Sequence, residues 1–260
     1  MSSLRVEKDS SVTTLYLARP EARNAFHAEM IAELTDTLRS LSRDDSVRVL
    51  VLAADGPTFC AGADANWMKS QKGVTEAENL ADAEKIFDLF RAAYEFSHPI
   101  VARVQGGAYG GGAGLICCSD IVVMAEDAQT AFSEVRLGVV PAAISAFVLR
   151  KIGEGRAREL FLSGRRISAQ ECLRLGLATE IAPADKLDDA VLMWTEELLK
   201  ASPTAQTLTK ELLREVPMLS LDEARKFTPA RIAKQRVSPD GQEGLAALLE
   251  KRQPVWSAKK

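Results

Sequence analysis

The chain has 260 residues, 47% hydrophobic and 27% charged, with a formal net charge of −3. That is the make-up of a water-soluble globular protein with a sizeable core, and its slight acidity gives no footprint for nucleic acid. No apolar run approaches the roughly 20 residues of a membrane span, and the polar start MSSLRVEKDSS has no signal-peptide core, so a cytoplasmic protein without membrane contact is expected.

A short strand near Leu4–Val6 precedes Val12–Leu17, whose alternation and β-branched residues predict a strand. A polar loop, Arg19-Pro-Glu-Ala-Arg-Asn-Ala-Phe, follows. Met30, Ile31, Leu34, Leu38 and Leu41 then sit at helical spacing over residues 28–42. Arg48–Ala53 reads as a buried strand, with Gly56–Asp64 as its exit loop, and residues 75–97 form a long helix. Helices are expected near 142–151, 155–162 and 168–174, a short strand at 178–181, then helices over 184–200, 203–214, 220–235 and 240–250. Pro203, Pro217 and Pro239 punctuate that last region. The division is therefore a mixed body over residues 1–195 and an all-helical region over 196–260.

The centre of the chain is Pro99–Pro141. An apolar strand, Ile100–Val104, runs into Gly106-Gly107 and Gly110-Gly111-Gly112, then an apolar helical turn through Leu115–Cys118 and a second strand, Ile121–Met124. This is a βαβ-like unit with a glycine loop at the sheet edge. A glycine run that opens a helix presents free N–H groups suited to an anion. A phosphate loop is excluded because Gly112 stands where Lys is needed, and a dinucleotide loop because Leu115 stands where Gly is needed. Two readings remain: a cradle for the oxyanion of a polarised carbonyl, or a turn that only packs a helix on a sheet.

The four cysteines, Cys60, Cys117, Cys118 and Cys172, have no disulfide or zinc spacing. No Ser/His/Asp motif surrounds His27 or His98. No metal site is expected.

Three pieces stand in order: Phe59-Cys-Ala-Gly-Ala-Asp64, Gly107-Ala-Tyr-Gly-Gly-Gly-Ala-Gly114 and Ser133-Glu-Val-Arg-Leu-Gly138. Together they resemble the enoyl-CoA hydratase/isomerase (crotonase) superfamily over nearly the whole chain. Cys60-Ala-Gly-Ala-Asp-Ala-Asn-Trp-Met and Ser133–Gly138 are most similar to bacterial methylglutaconyl-CoA hydratases. The resemblance implies an α/β fold, a crotonase-like spiral of ββα turns, with a C-terminal helical region that builds trimers, often paired into hexamers. It implies an acyl-CoA substrate, coenzyme A being part of that substrate and no further cofactor being needed. The backbone N–H groups of Ala63 and Gly111 would hold the thioester oxygen, and Glu134 would be the acid/base group. Arg23, Ala61, Asp64, Trp67, Gly114 and Val139 would line the substrate, and Lys251 or Arg252 would reach a neighbour's CoA phosphates.

One departure stands out. Hydratases of the standard type carry two glutamates, and the earlier one, twenty residues before Glu134, is here Gly114. Glycine at 114 is expected to free volume for a branched acyl group and to spare a carboxylated acyl chain from like-charge repulsion. A single glutamate also suits a Δ3,Δ2-enoyl-CoA isomerase. A crotonase-fold protein that binds CoA esters or RNA without catalysis is the alternative from another class.

Overall fold

The computed structural model describes residues 2–257. A β-hairpin begins the chain: β1 (Leu4–Asp9) and β2 (Val12–Leu17) pair antiparallel around Ser10, which adopts a left-handed φ of 52°. Helix α1 (Ala28–Leu41) buries Met30, Ile31, Leu34, Leu38 and Leu41 along one face, the stripe its spacing predicts. His27 caps it, its Nδ1 accepting from the Met30 N–H at 3.0 Å. Strand β3 (Val49–Ala54) is buried at every position, as a parallel strand covered on both faces must be.

A short helix, α2 (Ala65–Ser70), leads to α3 (Glu76–Tyr94), which a Thr75/Glu78 capping box starts. Strand β4 (Ile100–Val104), the three-residue β5 (Gly107–Tyr109) and helix α4 (Gly111–Cys118) form the glycine-rich centre. Then come β6 (Ile121–Ala125), β7 (Gln129–Ala131) and a 3₁₀ turn over Glu134–Leu137. The long α5 (Ala142–Ser163) breaks its helical dihedrals at Gly153, where two separate helices are predicted from the pattern. β8 (Ile167–Ser168), α6 (Ala169–Leu175) and β9 (Glu180–Ala182) complete the body, and α7 (Leu187–Leu199), α8 (Pro203–Glu215), α9 (Leu221–Arg236) and α10 (Pro239–Leu249) follow.

The large sheet has the order β1-β2-β3-β4-β6-β9, parallel from β2 onward, with Leu50 opposite Ile100 and Ala102 opposite Val122. The small sheet is β5-β7-β8, and single parallel bridges extend it, Cys60 to Ala108 and Phe26 to Ala63. Two turns of the chain, β4-β5-α4 and β6-β7-α5, each lay one long strand in the first sheet, one short strand in the second, and then a helix. This is the mixed α/β spiral with a helical C-terminal region. Phe59, Phe90, Phe96, Leu50 and Leu52 are fully buried in its core.

The C-terminal helices are tied to the body by charge. Lys210 on α8 is buried, pairs with Asp120 and donates to the His98 carbonyl at 3.0 Å. Arg48 donates to the carbonyls of Leu199 and Ala201 at 3.1 and 2.8 Å. All four cysteines are buried free thiols, and burial pushes Cys60, Cys117 and Cys172 up to about 12, which makes them inert packing groups.

Candidate active site

Two loops meet at the edge of the small sheet. In the first, Phe26 bridges across the exit loop of β3. Its N–H donates to the Gly62 carbonyl at 2.7 Å, and its carbonyl accepts from the Asp64 N–H at 2.8 Å. Successive groups of an extended segment face opposite ways, so the Ala63 N–H between them faces away from Phe26. In the second loop, Gly110 has φ 50° and ψ −114°, a backbone only glycine adopts readily. That turn starts α4, whose first intrahelical bond runs from the Gly114 N–H to the Gly110 carbonyl at 2.9 Å. The Gly111 N–H therefore lies in the unsatisfied first turn. Among the described residues, neither Ala63 nor Gly111 finds an acceptor for its N–H.

The two loops touch. A Cβ placed on Gly110 would lie 3.9 Å from the Gly62 Cα, and one placed on Gly62 would lie 3.2 Å from the Tyr109 carbonyl oxygen. Glu134 joins them. Its Oε1 is 3.5 Å from the same point on Gly110, while Oε2 is buried without a hydrogen-bond partner. Burial raises its pKa above the ordinary carboxylate value, only partly offset by its own backbone N–H. A carboxylate oxygen buried without a partner costs stability and is retained in native structures mainly where it has a task.

Asp64 plays a different part. Its Oδ1 accepts from the Asn66 N–H at 2.9 Å, capping α2, and Oδ2 lies 3.2 Å from Arg19. Burial pulls its pKa up, but the Asn66 and Trp67 N–H groups and Arg19 outweigh it and hold the carboxyl low. Its side chain is thus occupied within the protein, and only its backbone faces the loop. Trp67, on α2, is half-buried against the core. Val139 follows the Glu134 turn, donates its N–H to the Glu134 backbone carbonyl at 3.2 Å and is 55% exposed.

Arg23 and Ala61 lie together. The Ala61 N–H donates to the Arg23 carbonyl at 3.0 Å, and both residues line a cavity of about 340 Å³ with Tyr109 and Arg166. Lys251 follows α10 and lines no part of this cavity. Arg252 donates within its own chain to Glu243 at 2.6 and 2.8 Å and to Glu250 at 2.6 Å.

Gly114 also needs correction. The expected open volume is absent. A Cβ at 114 would lie 2.5 Å from Ile144 Cγ2 and 2.8 Å from Phe90 Cε1. Phe90 is fully buried and Ile144 only 3% exposed. Glycine at 114 lets these two apolar side chains close against α4. Phe90, Ile144, Tyr109 and Arg166 were not among the candidate site residues picked out from the sequence. The glycine at 114 announced a close approach, but nothing local said which side chains make it.

A pair of free N–H donors with one half-buried carboxylate beside them suits a site for polarising a carbonyl and moving a proton next to it. The comparisons agree with that class. The family Enoyl-CoA hydratase/isomerase matches residues 7–259. The chain is 31% identical over 260 residues to the 2,3-dehydroadipyl-CoA hydratase of Escherichia coli, with both chains covered completely. It matches the structure of an enoyl-CoA hydratase from Shewanella pealeana at 39% identity with a TM-score of 0.94, over 98% of this chain and 96% of that one. It matches Pseudomonas aeruginosa AtuE at 34% identity with a TM-score of 0.95, over 98% and 100%. The chain belongs to the enoyl-CoA hydratase/isomerase family.

Proposed function

We propose that this enzyme, an enoyl-CoA hydratase of the hydro-lyase type, adds water reversibly to a carboxylated α,β-unsaturated CoA thioester such as 3-methylglutaconyl-CoA. The observation that carries the reading is half-buried Glu134, whose Oε2 has no hydrogen-bond partner, beside the free N–H groups of Ala63 and Gly111. Ionised Glu134 takes a proton from water as the water oxygen attacks the β-carbon. The π electrons move to the thioester oxygen, where the two N–H groups hold the enolate, each worth about 3 kcal/mol. Glu134 then returns the proton to the α-carbon. One carboxylate serves both steps, so the oxygen and the proton arrive on the same face of the double bond.

The carboxylated acyl chain rests on the resemblance of the 60–68 and 133–138 segments. The Escherichia coli relative is itself named for a dicarboxylic enoyl-CoA. CoA belongs to the substrate in this scheme, and no separate cofactor takes part. The proposal places the enzyme in the cytoplasm; no described helix is long and apolar enough to cross a membrane. The test is turnover of a panel, crotonyl-CoA and 3-methylglutaconyl-CoA first. Hydration gives a product heavier by one water, and failure to turn over any enoyl-CoA refutes the reading.

The filled space at Gly114 favours a second reading, Δ3,Δ2-isomerisation. Glu134 would remove an α-proton from a β,γ-enoyl thioester and return it at the γ-carbon through the same held enolate. A conjugated product without added water identifies it.

The assembly proposed is a homotrimer or a pair of trimers built on the C-terminal helices. Leu221, Val237, Leu248 and Leu249 are 90%, 76%, 74% and 75% exposed there, a surface that apolar burial against another copy would cover. Light scattering at micromolar concentration is expected to give a trimer or hexamer mass, and a stable monomer refutes it.

A further inference from the structure

A cavity of about 590 Å³ opens where helices α3, α4, α5 and α8 meet, at the end of α4 remote from Gly111. That volume is in the range of small-molecule sites. Its floor is Cys117, Cys118 and Ser119, the last turn of α4 and its cap. Tyr94 of α3, Phe147 of α5 and Leu213 of α8 make apolar walls, with Met218 just beyond α8. Phe90 and Ile144, packed on Gly114, stand one turn nearer the start of α4 and line none of this cavity.

Four cations line it, Arg150, Lys151, Lys210 and Arg214, against a single carboxylate, Asp120. Three of the four have work inside the protein. Lys210 is paired with Asp120, Lys151 donates to the Ser119 carbonyl at 2.8 Å at the end of α4, and Arg150 donates to the Ala146 carbonyl at 2.8 Å. Arg214 is different. It is half-buried, its Nη1 is shielded from water without a hydrogen-bond partner, and no carboxylate pairs with it among the described residues. A guanidinium left in this state costs stability until an anion reaches it. Burial holds Lys151 and Lys210 below the usual lysine pKa, and the charge of Arg214 adds to this at Lys210. The cavity thus combines hydrocarbon walls with a positive excess that its one carboxylate does not cancel.

We propose that this cavity binds an amphipathic monocarboxylate, a fatty acid of medium chain length, with its carboxylate on Arg214 and its chain against the apolar walls. Arginine suits the head group because its planar fork matches carboxylate oxygens in pairs. The walls suit the tail because each methylene taken out of water there adds to binding. The site stands apart from the glycine loops and does not depend on the reaction assigned to them.

The experiment is calorimetric titration of decanoate into wild type, Arg214→Gln and Arg214→Lys, each with and without saturating butyryl-CoA. Wild type is expected to bind decanoate with the same affinity in both conditions. Arg214→Gln should raise Kd about tenfold, the size of one lost charge-assisted bond, without lowering the melting temperature. Arg214→Lys should recover part of that loss. Decanol, which keeps the chain and lacks the charge, should bind about tenfold more weakly than decanoate, and acetate, which keeps the charge and lacks the chain, should not bind at the same concentrations. Leu213→Glu provides a second variant, because it sets an anion in the exposed cavity wall next to Arg214 and should weaken decanoate binding as well. Wild type that binds no decanoate, decanol that binds as tightly as decanoate, or decanoate displaced by butyryl-CoA would each overturn the proposal. So would unchanged affinity in Arg214→Gln and Leu213→Glu. If these variants instead change the mass seen by light scattering and bind decanoate as wild type does, Arg214 serves a contact between copies of the chain and the proposal falls.

Discussion

Helix α4 is approached by two very different neighbours. At its start, where Gly110 turns the chain, the neighbour is Glu134: polar, half-buried and with one oxygen unpaired. One turn further on, at Gly114, the neighbours are Phe90 and Ile144, which close the space completely with hydrocarbon. Glycine is needed at both positions for different reasons: at 110 for the positive φ, and at 114 because Ile144 and Phe90 leave no room for a Cβ. The proposed proton chemistry therefore has a single address beside this helix, and at Gly114 the helix meets packed hydrocarbon.

The largest effect should follow from disabling that address. Glu134→Gln keeps the size of the side chain but cannot exchange a proton near neutral pH. kcat is expected to fall by about 10²–10⁴-fold while affinity for a CoA ester changes little. Steady-state rates beside calorimetric binding would measure both. A variant that keeps more than about a tenth of the wild-type kcat would mean that the unpaired carboxylate is not the acid/base group, and the contrast between the two neighbours would lose its chemical meaning.

The closed side can be tested by forcing it open. Gly114→Glu puts a Cβ against Ile144 and Phe90 and a carboxylate among hydrocarbon. Overpacking and uncompensated burial of a charge together should cost on the order of 3 kcal/mol of stability, seen in urea unfolding. Because the damage is to packing, rates on crotonyl-CoA and 3-methylglutaconyl-CoA should fall together. Adding Ile144→Ala, which removes the nearest methyl group, should return part of the stability. If Gly114→Glu keeps wild-type stability and loses only the carboxylated substrate, charge repulsion and not packing governs the position.

The same contrast marks how far the residues could be read in advance. The long strands and helices declared themselves through period: β3 is uniformly apolar, and α1 carries its stripe. Glu134 and the two glycine loops were legible because their order and spacing survive in the linear chain. The small sheet was not. Its strands have two or three residues, too few for any period, and its bridges join Phe26 to Ala63 and Cys60 to Ala108, pairs separated by tens of residues. α2 escaped notice because six residues hold barely more than one turn and it buries none of them. At Gly114 the missing side chain was visible and its replacement was not. Phe90 comes from α3 and Ile144 from α5, and only the packing of three helices brings them to one point.

A smaller effect concerns the pH at which the single address works. Burial raises the Glu134 pKa, and the base must be ionised to accept a proton from water. The acid limb of kcat/KM should therefore fall at a pH above the ordinary glutamate value of about 4.3. A limb at or below that value would place the working carboxylate in a solvated setting unlike the one Glu134 occupies.

The smallest effect is on stability, and its sign runs against intuition. The folded protein holds the Glu134 proton to a higher pH than the unfolded chain does, because burial disfavours the anion. Between the unfolded and folded pKa values the native state binds more protons, so stability declines as pH rises through that window and stays lower above it. At neutral pH the ionised Glu134 is thus a net cost to the fold. Glu134→Gln removes the charge and leaves a neutral side chain of the same shape. The variant that nearly abolishes turnover should melt higher than wild type at pH 7, by on the order of 2 °C. The gap should close on acidification to about pH 3, where Glu134 is protonated in both states. Melting curves of the two proteins across this range decide it. A variant less stable than wild type at pH 7 would show that Glu134 has a stabilising partner, and the side of α4 described as free for chemistry would be a structural contact instead.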